Sequence, residues 1–516
     1  MCGLFFTQNA KADLEKLLSL NGLMHHRGPD SAGHFFRSPF FLGFNRLSIL
    51  DLSRLADQPF MSRSGKHVVI FNGEIYNYRE LVKKYRLEMR TTGDTELLVE
   101  LYEIYGEKIL GELNGMFAFV ILNLVTNTVF AARDRLGVKP LYIFSENETV
   151  AMASEISPLL DLCGSAEVDD IGLRQYKKLR TFFNGHTLYK KIKVFPPGHY
   201  YKNGVFTRYW GLPEPKETSP TDDALRDLIK SSVAYRCISD VPVASFLSGG
   251  LDSSIVTLLA KPASTWSIGF SDSNEFLWAD IVANTAGTHH QNITVSDEAF
   301  LEAVRCMVLA RREPLSVPNE VLIYLMAKEV RKETKVVLCG EGADELFFGY
   351  DRIFRWAAQQ KSFDIEQFGE LYAYGKHSDI EILEYALEPY IKVYNTPLHI
   401  VSAFFQIGHL HGLLRRLDNS TMQAGIEARE PFVDYRLIEA LFGIGLDYKM
   451  QDGIVKAPLK RLFKSLLPPE IIERPKVGFP VPLERIFKAK DRADGFNSWF
   501  NFNLNILGIE PLKKTG

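Results

Sequence analysis

The run Val241-Pro-Val-Ala-Ser-Phe-Leu247 is a short apolar strand that passes at once into Ser248-Gly-Gly-Leu-Asp-Ser-Ser254 and then into an apolar helix. A strand that turns on glycines straight into a helix predicts a parallel sheet with helices packed on it. Gly249 and Gly250 let the backbone turn its amides inward around a phosphate, and the helix start behind them adds dipole and free N–H donors. Ser248, Ser253 and Ser254 add hydroxyls, and Asp252 is suited to a Mg2+ that bridges phosphate oxygens. The Gly-Lys-Ser/Thr of the Walker pattern is absent. A Gly-Gly turn alone is commonplace; the whole run, set between strand and helix, is not.

Around this passage strands alternate with helical patterns. The strand candidates are 243–247, 265–270, 290–295 and 335–339, and from about Ile353 onward the pattern is mainly helical. Val336-Val-Leu-Cys-Gly-Glu-Gly-Ala-Asp-Glu-Leu346 is a second strand–loop–helix passage. In open parallel sheets ligands bind beyond the carboxyl ends of strands, so Asp252 and Asp344 are placed to share the magnesium. Asp344 and Glu345 read alone are helix-capping acids.

Residues 2–209 have another texture: short strands at 40–50 and 67–71, a hairpin pairing 116–122 with 128–132, and a helix over 95–110. This predicts antiparallel sheets. Trp210-Gly-Leu-Pro-Glu-Pro-Lys-Glu-Thr-Ser-Pro220 reads as a linker, dividing the chain into domains at 2–209 and 221–516.

With 60 basic and 63 acidic residues the net charge is -3, which gives no basic stripe for nucleic acid. Five scattered cysteines suggest neither a disulfide framework nor a zinc site, and a reducing cytoplasmic setting is expected. Lys11, Asp13 and Glu15 interrupt any signal-peptide run, and no membrane span is read. Cys2 stands behind the initiator methionine. Once Met1 is removed, its α-amine, titrating near ~7.7–8.0, can serve as general base for its own thiol.

Nearly the whole chain resembles the glutamine-hydrolysing asparagine synthetases. The N-terminal matches are Met1-Cys-Gly3, His26-Arg-Gly-Pro-Asp30, Asn45-Arg-Leu-Ser-Ile-Leu-Asp51, Phe71-Asn-Gly-Glu-Ile-Tyr-Asn77, Gly93-Asp94 and Ala132-Arg-Asp-Arg-Leu-Gly-Val-Lys-Pro-Leu141. The C-terminal matches are the two loops above, Ser267-Ile-Gly-Phe270, Glu427-Ala-Arg-Glu-Pro-Phe-Val-Asp434 and Lys456. The resemblance implies an α+β N-terminal-nucleophile hydrolase domain with αββα layers, followed by an α/β PP-loop domain, adenine-nucleotide-hydrolase-like, with a helical C-terminal part. It implies that Cys2 attacks the glutamine amide, with Asn72 and the amide of Gly73 as oxyanion hole. Arg46 would bind the glutamine α-carboxylate and Asp94 its α-ammonium, in a pocket that also includes Leu47, Ser48, Ile49, Leu50 and Glu74. Leu247, Ile268, Cys339 and Gly340 would surround ATP with the Ser248–Ser254 loop. Glu341 and Lys456 would act on the adenylated acceptor. His26 to Asp30, Glu427 and Asp434 are expected to be structural, the last two holding a pair of helices. A shielded ammonia passage and a homodimer are further expectations of the resemblance.

The match frays at Val317, where asparagine producers commonly carry an acidic residue, and at Phe348 and Pro480, where glycine is usual. Aspartate is the expected acceptor, and a sugar uronic acid of surface polysaccharides is the alternative. A non-catalytic glutamine or nucleotide sensor is a further reading, opposed by the presence of Cys2, Asp252 and Glu341. A PP-loop enzyme acting on tRNA is opposed by the neutral charge.

Overall fold

The structure is a computed structural model that describes residues 2–374, 379–474, 478–479 and 481–510; Met1 and Pro480 lie outside the described residues. In strand Gly3–Gln8 successive side chains face opposite ways. Leu4 and Phe6 pack with Leu42, Phe44, Val68 and Val120, whereas Phe5 joins Phe41 and the helices Leu14–Gly22 and Ile156–Cys163. The first of these cores lies between two six-stranded sheets. One runs Ile192–Val194, Tyr142–Glu146, Thr149–Ala153, Gly3–Gln8, Phe40–Arg46, Ser31–Arg37. The other runs Val205–Arg208, His199–Lys202, Val129–Arg133, Gly115–Asn123, His67–Ile75, Phe60–Met61. Both are antiparallel throughout. Beyond the second sheet Val69, Phe71 and Phe119 meet the helices Tyr78–Tyr85 and Asp94–Tyr105. The layers are therefore αββα, as the resemblance implies.

Three expected boundaries shift. Strand 67–71 runs on to Ile75. Strand 40–50 ends at Arg46, because the next residues leave the sheet and the Ser48 N–H donates to Asp30 Oδ2 at 2.8 Å instead. Apolar alternation through Leu47 and Ile49 continues past that point, which is why the sequence reads longer. Helix 95–110 is Asp94–Tyr105 followed by a 3-10 segment, Gly106–Gly111, with Gly106 at φ 59° breaking the α-helix.

Residues 209–221 carry no helix or strand. After them comes a five-stranded parallel sheet ordered His289–Thr294, Ser264–Gly269, Val243–Phe246, Val336–Leu338, Glu427–Arg429. Helices Asp222–Arg236 and Leu251–Ala260 cover one face; Asp297–Arg311 and Asn319–Val330 cover the other. Burial on both faces explains why these strands read as apolar runs rather than alternating ones. The chain builds outward from Val243–Phe246 to one edge, then returns to place Val336–Leu338 on its other side. Their carboxyl ends flank the point where strand order reverses, where such a sheet leaves a crevice.

Glu427 was expected in a helix pair and instead lies on the edge strand Glu427–Arg429. Asp434 does cap a helix, accepting from the Arg436 N–H at 3.0 Å, and it pairs with Arg236 at 2.6 Å. The C-terminal part is helical around an aromatic cluster containing Phe348, Phe354, Phe368, Phe404 and Phe405. Phe348 stands at φ 59°, a conformation that favours glycine. Its ring stacks on Phe354 at 4.0 Å and lies 4.1 Å from Lys449 Nζ, so this departure from the family pattern is absorbed by the core.

Ion pairs join the two halves. Arg27, held within its own half by Glu155 at 3.2 Å, reaches Asp418 at 2.9 Å, and Lys139 reaches Asp418 at 3.2 Å, all buried; a more exposed pair joins Asp30 to Lys335 at 2.6 Å. The His26–Asp30 stretch is thus a docking element. Among the described residues all five cysteines are free, and no helix is long and apolar enough to cross a membrane.

Candidate active sites

Cys2 immediately precedes the first strand, Gly3–Gln8, and is 7% exposed. Its backbone nitrogen donates to Asn72 Oδ1 at 2.9 Å, and its Sγ accepts from the Leu47 N–H at 3.5 Å. Burial pushes the thiol pKa up, so the sulfur needs a base, and the nitrogen nearest in the chain is its own. Asn72 and Gly73 sit on strand His67–Ile75 of the facing sheet, which brings them to Cys2 only when the two sheets stack. Gly73 is at φ 155°, and a Cβ there would fall 2.1 Å from Met116 O; no other residue fits.

Cys2 opens into a cleft of about 460 Å3 walled by Arg46, Leu47, Ile49, Leu50, Gly73, Glu74 and Asp94. Asn72 joins through its bond to Cys2. Ser48 is not part of the wall; it faces Asp30 and Lys335. Gln58 and Thr95 also line the cleft and were not singled out from sequence; nothing in their neighbours distinguishes them. The Arg46 guanidinium is anchored by Asp57 at 2.8 Å and by the carbonyls of Ser53, Leu50 and Asp51. Asp94 starts its helix and accepts from the Ile75 N–H at 2.8 Å; burial pushes its pKa up to about 7. The cleft therefore offers a thiol, a cation and a carboxyl at fixed positions, the set that a free α-amino acid requires.

Behind this cleft the edge strand contributes Arg429, wholly buried, 2.5 Å from Glu427 and 3.4 Å from Glu74. Burial opposes ionisation of Glu427, but Arg429 outweighs it and holds the carboxyl well below its usual range. Burial, Glu427 and Asp94 together raise Glu74.

The second site occupies the crevice of the parallel sheet. Ser248 Oγ and Ser253 Oγ lie 3.0 Å apart, the Gly250 N–H donates to Ser248 Oγ at 3.2 Å, and Ser254 Oγ donates to Gly250 O at 2.6 Å. Gly249 stands at φ 67°, and a Cβ there would meet the Trp278 backbone at 2.4 Å. Leu247, Ile268 and Cys339 are buried beneath the loop, and Gly340 packs against the amide of Ser253. Arg474 donates to Ser248 O at 3.2 Å and pairs with Glu275. Sequence reading missed it, because it comes from a helix end far along the chain.

Lys456 Nζ lies 2.5 Å from Asp252 Oδ2 and 2.6 Å from Asp344 Oδ1. Burial alone would depress the Lys456 pKa, yet the two carboxylates outweigh it and raise it. Glu341 meets Arg416 at 3.2 Å. Glu345, buried against Tyr350 at 2.7 Å, is pushed up to about 8 by burial and by Asp344. The residues proposed from sequence for phosphate and acceptor chemistry thus converge on one crevice.

Asp252 and Asp344 both flank the Lys456 ammonium; the pair also fits Mg2+, which takes one or two carboxylates and completes its shell with phosphate oxygens and water. Among the described residues no cluster of three or more His, Cys, Asp or Glu forms a protein-only cage.

Comparison with known proteins agrees with this layout. Residues 224–499 match the family model described as asparagine synthase, and residues 1–210 match that of a glutamine amidotransferase domain. The chain is 31% identical to glutamine-hydrolyzing asparagine synthetase 1 of Bacillus subtilis, covering 95% of this chain and 86% of that protein. It is 30% identical to the same organism's glutamine-hydrolyzing asparagine synthetase 3, over 93% and 87% of the respective chains. With asparagine synthetase B of Escherichia coli the identity is 29%, over 93% and 82%.

Proposed function

The chain belongs to the asparagine synthase family, and we propose that it converts aspartate to asparagine by activating the side-chain carboxylate with ATP and supplying ammonia from glutamine. It is a glutamine-dependent amidotransferase of the asparagine synthetase type. In this reading the Cys2 α-amine, freed by loss of Met1, takes the thiol proton and Sγ attacks the glutamine amide. Asn72 and the Gly73 N–H receive the developing oxyanion, a contribution of about 3 kcal/mol per donor. Arg46 and Asp94 hold the α-carboxylate and α-ammonium.

In the second site an acceptor carboxylate oxygen attacks the α-phosphorus of ATP and pyrophosphate leaves. Ammonia then adds to the acyl carbon and AMP departs with that oxygen. The Ser248–Ser254 loop and Lys456 hold the phosphates, Asp252 and Asp344 would hold Mg2+, and Glu341 takes a proton from the attacking nitrogen. Bound magnesium would neutralise charge developing on the phosphate oxygens. Residues 210–220 divide the two domains, the ammonia path runs between them, and the assembly is a homodimer.

One observation carries the reading: the Lys456 ammonium lies within 2.6 Å of carboxylate oxygens of both Asp252 and Asp344 beside the glycine turn. The test is a screen of carboxylates for acceptor-dependent pyrophosphate release with glutamine and Mg-ATP. Aspartate is expected to drive release. Release with a nucleotide-linked uronic acid and none with aspartate would overturn the assignment.

A further inference from the structure

A second cleft, of about 340 Å3, opens where the end of helix Asp170–Leu179 meets helices Asn319–Val330 and Leu410–Met422. Four arginines line it: Arg180, Arg311, Arg415 and Arg416. Three have carboxylate partners. Arg311 binds Glu320 at 2.7 Å, Arg415 binds Glu313, and Arg416 binds Glu341 at 3.2 Å. Arg180 has none.

Its side chain is 5% exposed, and Nε and Nη1 are buried without a hydrogen-bond partner among the described residues. The guanidinium instead lies over Phe500 at 3.2 Å, Tyr374 at 4.1 Å and Phe496 at 5.0 Å. Burial lowers its pKa to about 9, with only tyrosines opposing the shift. Ring faces recover about 1–2 kcal/mol of a cation's lost hydration, less than burying an unpaired charge costs. Arg180 also stands at φ 65°, a conformation that costs any non-glycine residue. A charge held at such expense on a cavity wall calls for an anion. Arg416 joins this cleft to the adenylation site, since it lines the one and grips Glu341 in the other.

We propose that Arg180 binds a second anionic group of the acceptor, one that is not amidated, while the reacting carboxylate lies toward Glu341. The inference rests on the acceptor-activating reading above. For an amino-acid acceptor that group is the α-carboxylate; for a sugar acid it is the phosphate of its nucleotide carrier. Glu320 assists indirectly: its carboxylate accepts from the Ser316 and Val317 N–H groups at 2.6 and 3.2 Å and so shapes the wall at Ser316.

The experiment compares paired acceptors in the full-length enzyme, with ammonium as nitrogen source so that the glutamine site is not involved. One pair is aspartate against β-alanine, which lacks only the α-carboxylate; the other is UDP-glucuronate against glucuronate. The wild type is expected to prefer the anion-bearing member of whichever pair it uses by about ten- to a hundredfold in kcat/KM, the range of a charge-assisted hydrogen bond. Arg180→Gln and Arg180→Gly should both bring that ratio close to one, while the KM for ATP is unchanged. Glycine suits the backbone there, so at least one folded variant is expected. A ratio retained in either folded variant overturns the Arg180 assignment and leaves the proposed function standing. Absence of acceptor-dependent pyrophosphate release with all four compounds in the wild type overturns both.

Discussion

Cys2→Ala is expected to lower glutamine-dependent product formation by at least about a thousandfold, the scale on which loss of a catalytic nucleophile is felt, while ammonium-dependent formation stays within about twofold. The asymmetry follows from where Cys2 sits. Its sulfur contacts Leu47, and its nitrogen contacts Asn72, all within the antiparallel half. Alanine keeps the backbone nitrogen and so keeps the bond to Asn72 Oδ1. In the other half Glu427 and Arg429, which stand behind the cleft, are held by their own ion pair, and Arg429 also by the Arg236 and Ile238 carbonyls. Parallel assays of glutamate release and pyrophosphate release with each nitrogen source measure both limbs. Loss of the ammonium-dependent limb as well would contradict separate sites.

Asp252→Asn should do the reverse. Asparagine preserves the shape of the side chain at the start of helix Leu251–Ala260 but removes the charge that faces Lys456. Lys456 keeps Asp344 as a partner, so the crevice should hold its form. What is lost is one of two carboxylates around the cation position, and with it several kcal/mol of phosphate-charge stabilisation. Pyrophosphate release should fall by about a hundredfold or more with either nitrogen source, and glutamine hydrolysis without acceptor should be unaffected. Undiminished pyrophosphate release would remove Asp252 from the phosphate chemistry.

What could be read from the chain alone follows physical range. Strand Gly115–Asn123 and its partner Val129–Arg133, the helix beginning at Asp94 and the parallel strands all announce themselves through local patterning, and they fall within a few residues of expectation. The glycine loop is legible for the same reason: its chemistry is contiguous. The edge strand Glu427–Arg429 is not legible. It has three residues, two of them charged; it is a strand through its parallel pairing with Val336–Leu338, and Glu74 from the first half and the carbonyls of Arg236 and Ile238 from the second accommodate the buried Arg429.

Arg180 escapes for a related reason. In Lys177-Lys-Leu-Arg180 it reads as one more cation at a solvated helix end; Tyr374 and the aromatic side chains of the C-terminal helix Arg492–Ile506 cover it. Arg416 and Arg474 likewise become part of the second site through contacts with Glu341 and Ser248, far away in the chain. Ser48 is the opposite case: it adjoins wall residues in sequence, but its backbone N–H and carbonyl are engaged by Asp30 and Lys335.

The direct test of nitrogen transfer to an adenylated acid follows two labels in one turnover. Glutamine carries heavy nitrogen at its side-chain amide, the acceptor carries heavy oxygen in its carboxylate, and both products are weighed by mass spectrometry. The account predicts heavy nitrogen in the new amide and one heavy oxygen in AMP. Heavy oxygen in inorganic phosphate with none in AMP, or an amide without the glutamine nitrogen, would contradict it.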